Sequence, residues 1–162
     1  MASFQEHVDK AKSNLTFLGQ INANVPNFID WQITACFYVV VHLANAHVVS
    51  CEKNFYRTHN EVKNSLNPYN ATAGSKVDEK AFLAYSKLRD LSRRSRYMVS
   101  DDNDNKNPAA FLVHEIHLAK SLRHLETFLI FFSNEYKITF PKIHVTCNGL
   151  KQHEVKNFTV IS

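Results

Sequence analysis

The sequence predicts an all-α protein: four long helices and one short helix forming a bundle over residues 1–140, then a C-terminal arm over 141–162 that is extended or a β-hairpin. Three observations carry this. Only three glycines and four prolines interrupt 162 residues, so long helices can run unbroken. Apolar residues recur at three- and four-residue spacing along most of the chain. Beyond Pro141 the period drops to two, with Ile143, Val145 and Cys147 alternating.

Each element has its own local signal. Ser3 followed by Glu6 is a capping box, and Phe4, Val8, Ala11, Leu15 and Leu18 then keep helical spacing to about Asn22. After Pro26, Asn27 is placed to cap a second helix from Phe28 to Phe55, apolar around most of its circumference and therefore central. A short helix is entered near Thr58 and stops at Asn67-Pro68. Ser75 is the expected cap of the next helix, with Asp78 in its first turn and apolar positions continuing to Val99. The polar stretch from Ser100 to Pro108 reads as a solvated loop, and the last helix begins near Pro108 and runs to Tyr136. In the arm, Asn148-Gly149 is a hairpin signal and Phe158 to Ile161 is β-prone. Two strands alone are marginal in water, so the arm is expected to lie on the bundle or on another subunit.

Composition narrows the function classes. A net charge of +4, with nine histidines uncounted, favours anionic partners. Three cysteines, Cys36, Cys51 and Cys147, form no CxxC pair, and their odd number argues against a secreted disulfide framework. The expected compartment is cytoplasmic, where the sequons at Asn14, Asn70 and Asn157 have no consequence. The apolar run from Phe37 to Val49 contains His42, Asn45 and His47 and is shorter than the roughly 20 residues that span a bilayer, so it reads as a buried helix and no membrane partner is expected. Phosphate loops, dinucleotide fingerprints and nucleophile elbows are lacking from the sequence.

Three constellations carry candidate chemistry. On the second helix, Trp31, Ala35, Tyr38 and His42 share one face, which places an imidazole and a phenol inside the core; a bonded core histidine and a binding or catalytic histidine both fit. On the fourth, Tyr85, Arg89, Ser92 and Arg96 share a face that reads either as a phosphate site or as a solvated basic surface folded onto Asp101, Asp102 and Asp104. Around the short helix stand Arg57, His59 and Lys63, with His59 either brought near His42 by the chain reversal or left on the surface. His114, His117 and His124 form a stripe on the last helix, yet the chain has neither ExxH nor HxxxH spacing, so no metal and no cofactor is expected.

The stretches DWQITACFYVVVHLANA, THNEVK and YSKLRDLSRRSRYMV together resemble one branch of the HEPN superfamily, the all-helical nucleotide- and RNA-binding domains of higher eukaryotes and prokaryotes. The resemblance covers roughly residues 28–99. It implies an up-and-down antiparallel bundle, often dimeric, and in active members a metal-independent ribonuclease that is frequently a toxin paired with an antitoxin. Those members carry an arginine followed four to six residues later by histidine; none of the six arginines here has a histidine at that distance. The resemblance therefore implies an RNA- or nucleotide-binding protein in which Arg57, Arg89, Ser92 and Arg96 meet phosphate and Tyr38, Tyr85 and Tyr97 stack or hydrogen-bond. His42 and His59 orient that site or act as a non-standard acid/base pair. Expected partners are RNA or a nucleotide, a second copy in a homodimer, and a cognate antitoxin or other protein. The competing class is a catalytically inactive helical interaction module.

Overall fold

The computed structural model describes residues 2–54, 56–97 and 114–161. In chain order these form α1 (Phe4–Asn24), α2 (Ile29–Glu52), α3 (His59–Leu66), α4 (Glu79–Tyr97), α5 (Glu115–Tyr136), β1 (Ile143–Thr146), a 3-10 turn (Gln152–Glu154) and β2 (Phe158–Ile161). The protein is mostly helical, with one small parallel sheet. The loop expected over 100–108, the helix start near Pro108, and the expected helix ends at Phe55 and Val99 lie outside the described residues.

The helix starts follow local chemistry. Ser3 with Glu6 and Thr58 with Glu61 each close a reciprocal capping box, satisfying amides that the first turn would otherwise leave bare. Two expected caps are displaced. Phe28, not Asn27, precedes α2, without a side-chain bond. At α4 the Asp78 carboxylate accepts from the Ala81 amide at 2.8 Å, while Ser75 is fully buried and donates to Glu52. Ser75 failed as a cap because Glu52, with Tyr56 and Ser65 also donating to it, claims the hydroxyl.

α2 packs against α1, α4 and α5. Its Ile33, Phe37, Val40, Leu43 and Val48 are fully buried among Leu15 and Leu18 of α1, Tyr85 and Leu88 of α4, and Leu122, Phe128 and Phe132 of α5. By length and composition α2 could cross a membrane, but 72 % of its apolar window is buried inside the protein, as in a core helix.

The arm is not a hairpin. β1 and β2 run parallel, Ile143 opposite Phe158 and Thr146 opposite Ile161. Neither Asn148 nor Gly149 has the positive φ that a tight two-residue hairpin turn requires. Buried polar groups on the helices direct the chain instead. Asn22 of α1 bonds the backbone of Thr146 in both directions, at 2.7 and 3.0 Å, and Glu126 of α5, only 3 % exposed, accepts from the amides of Lys156 and Asn157. A buried carboxylate must be hydrogen-bonded, and meeting it carries the chain over α5 before β2 returns. Val145, Cys147, Leu150, Val155 and Phe158 join the same apolar core as the helices.

Candidate functional site

The α2 face expected to point inward points out. Trp31 is 56 % exposed, Tyr38 is exposed and His42 is half-buried, all three bordering a groove against Lys10, Asn14 and Phe17 of α1. A helix apolar around its whole circumference gives periodicity no single inward direction, and amphipathic Trp and Tyr rings tolerate the boundary better than Phe37 or Leu43. His42 meets His7 of α1, Nδ1 to Nδ1 at 3.3 Å, and burial lowers the pKa of both rings. The core histidine of α2 is His47, whose Nδ1 lies 2.7 Å from the Tyr136 hydroxyl and whose Nε2 lies 3.7 Å from Cys51 Sγ.

A second cleft, of about 260 Å³, lies where the start of α3 meets the outer face of α4. Thr58, His59 and Asn60 line one side; Arg89, Arg93, Arg96 and Tyr97 line the other, and among the described residues no carboxylate is part of the lining. The helical offsets from Arg89 to Arg93 and Arg96 place three guanidiniums on one face. Arg89 is held in place by donating to the Asn60 side-chain oxygen at 2.7 Å, with Asp90 at 3.7 Å. Arg96 donates to the Ser92 carbonyl at 3.3 Å and lies 5.3 Å from the Tyr97 ring centre. The amino end of α3 contributes little charge to a ligand, because Glu61 already accepts from the Arg57 and Thr58 amides. Burial, then Arg96 and Arg89, lower the His59 pKa. The ring is thus neutral at neutral pH and able to accept a proton.

Of the residues predicted from sequence, His59, Arg89, Arg96 and Tyr97 converge. His42 and Tyr38 do not join them; they line the α1–α2 groove, so an acid/base pair of His42 with His59 has no geometric basis. Tyr85 is fully buried against Phe37 and Phe128, with burial raising its pKa, and its hydroxyl donates to the His59 carbonyl at 3.5 Å. Ser92 is also fully buried, on the core side of α4. Arg57 is exposed outside the cleft lining. Arg93 and Asn60 were missed. The four-residue step from Arg89 could have identified Arg93; Asn60 has no sequence signal, since its role follows from the α3–α4 contact.

Comparison with protein-family models, curated proteins and solved structures finds no match. The cleft is therefore read from its own chemistry. Three guanidiniums and a neutral imidazole suit an anion presenting several oxygens, because arginine offers paired donors to phosphate. Among the described residues no three His, Cys, Asp or Glu side chains are grouped to hold a metal. The His114–His117 end of the histidine stripe has a structural role: His117 Nδ1 accepts from the His114 amide at 3.0 Å, capping α5.

Proposed function

We propose that this is an RNA- or nucleotide-binding protein of the HEPN type, cytoplasmic and homodimeric, with its helices in the up-and-down antiparallel bundle of that superfamily. The observation that carries the reading is the convergence of Arg89, Arg93 and Arg96 on His59 in one cleft. Arg89 and Arg96 hold phosphate, Arg93 adds a third cation, and Tyr97 offers a ring for stacking. His59 accepts a proton from the ligand or solvent as the guanidinium charges are neutralised.

Strand cleavage is a narrower claim. Attack by a 2′-hydroxyl needs a base and an acid, and this cleft supplies one imidazole, so phosphate binding is the primary activity and metal-independent cleavage would use His59 as the base that takes the 2′-hydroxyl proton, with solvent protonating the departing 5′-oxygen. The test is RNA binding and cleavage by the purified protein, without metal and across a salt series, beside Arg89→Ala/Arg96→Ala and His59→Ala variants checked by circular dichroism. Binding that weakens steeply with salt and drops about thirtyfold in the double arginine variant supports the site. Binding unchanged in that folded variant removes it. Products lost in His59→Ala would add catalysis, whereas a copurifying protein with no RNA affinity would instead favour an interaction module, with an antitoxin as its expected partner.

A further inference from the structure

We infer that the α1–α2 groove is a base-stacking subsite for a single-stranded RNA whose phosphate sits in the arginine cleft; the inference rests on the phosphate reading above. Trp31 and Tyr38 stand seven residues apart on α2, 56 % and 38 % exposed, with the small Thr34 and Ala35 between them and Phe17, 48 % exposed, across from α1. Together they make a slot walled by aromatic rings and floored by short side chains. Its volume of about 290 Å³ lies near the lower bound of about 300 Å³ for small-molecule pockets, which suits one planar ring rather than an extended ligand. Every base presents a π-face, so such a slot takes bases with little regard to sequence.

Charge and position select the occupant. Lys10 supplies a cation at the rim of the slot, the neutral His42 ring stands beside it, Asn14 supplies both a donor and an acceptor for a base edge, and among the described residues no carboxylate lines this groove. Phe37 connects the two: its ring centre is 6.2 Å from that of Tyr38 in the groove and 5.2 Å from that of His59 in the cleft. The Tyr38 and His59 ring centres therefore lie within about 11 Å of each other, a span that a few nucleotides of a single strand can cover. An alternating polymer of phosphates and flat rings complements both openings at once.

Trp31 is the only tryptophan, so its emission reports the groove directly. The full chain is titrated with a short single-stranded oligoadenylate and, separately, with pyrophosphate. Oligoadenylate should quench Trp31 saturably, at the same midpoint as the anisotropy of a labelled oligonucleotide; pyrophosphate should compete for the oligonucleotide without itself moving the emission. Trp31→Ala should lower oligoadenylate affinity about tenfold, and Trp31→Phe, which keeps a ring, should restore most of it. Salt-dependent oligonucleotide binding with unmoved Trp31 emission overturns the subsite and leaves the phosphate reading standing. Absence of oligonucleotide and pyrophosphate binding overturns both. Emission that shifts with protein concentration alone, alongside a dimer in sedimentation, assigns the groove to a second copy and likewise overturns the subsite.

Discussion

The cleft of about 400 Å³ beside His47 and the smaller one of about 260 Å³ beside His59 each present an imidazole, yet they are built on opposite principles. At the larger, His47 is 4 % exposed and already engaged with the Tyr136 hydroxyl and Cys51, and the lining includes Asp78 and Glu135 beside Lys76. Burial pushes the Tyr136 hydroxyl up to about 12 and the Cys51 thiol above its ordinary value, so both stay protonated at neutral pH. At the smaller, Arg89, Arg93 and Arg96 gather on one wall, with Asp90 3.7 Å from Arg89. Volume is thus the poorer guide: a cleft whose polar groups satisfy one another stabilises the fold, while one that gathers three guanidiniums around a neutral imidazole is arranged for a ligand.

The sharpest way to break this contrast is to delete the two imidazoles. His47→Ala removes a buried ring and its hydrogen bond with the Tyr136 hydroxyl, and should cost about 3 kcal/mol in urea unfolding. His59→Ala trims an exposed ring and should stay within about 0.5 kcal/mol. Equal losses would mean that His59 is as structural as His47.

Cations offer the next contrast. Arg93→Ala should weaken oligonucleotide binding about fivefold and flatten the slope of log affinity against log salt by about 0.7, the share of one single-strand phosphate contact. Lys76→Ala, beside Asp78 at the other cleft, should leave affinity within about twofold, because a mixed-charge lining attracts no polyanion. A matching drop in both, measured by fluorescence anisotropy, would reduce the arginine cleft to general surface charge.

Much of this was legible in the sequence, for reasons that differ by residue. Ser3 with Glu6 and Thr58 with Glu61 reveal helix starts because a capping box is chemistry within four residues. Arg89 and Arg96 were readable because helical spacing alone puts them on one face. The outward turn of Trp31 and Tyr38 was not, since α2 is apolar on all sides and only its neighbours decide which side is covered. Nor was the parallel pairing of β1 with β2, because Asn22 and Glu126 set the path of the arm from far away in the chain. The meeting of His59 with α4, like the separation of His42 from it, is a tertiary fact with no local spacing to announce it.

Acidification should move the two clefts in opposite directions, the smallest expected effect and the most discriminating. Burial lowers the folded-state pKa of His47, and His7, His42 and His124 shift the same way. An unfolded histidine titrates near about 6.5, so below that pH the unfolded chain binds more protons than the folded one. The stability from these buried neutral rings is complete above about pH 6.5 and falls as the pH drops toward their folded values. At His59 a bound phosphate offsets the Arg89 and Arg96 charges that help keep the ring neutral, so binding takes up a proton and affinity rises over the same interval. Between about pH 7.5 and about pH 5.5 the urea midpoint should fall while oligonucleotide affinity climbs severalfold. His59→Ala should abolish most of that climb and leave the fall in stability in place. If the climb survives in His59→Ala, the pH response belongs to general positive charge on the protein, and His59 has no proton-linked part in the cleft.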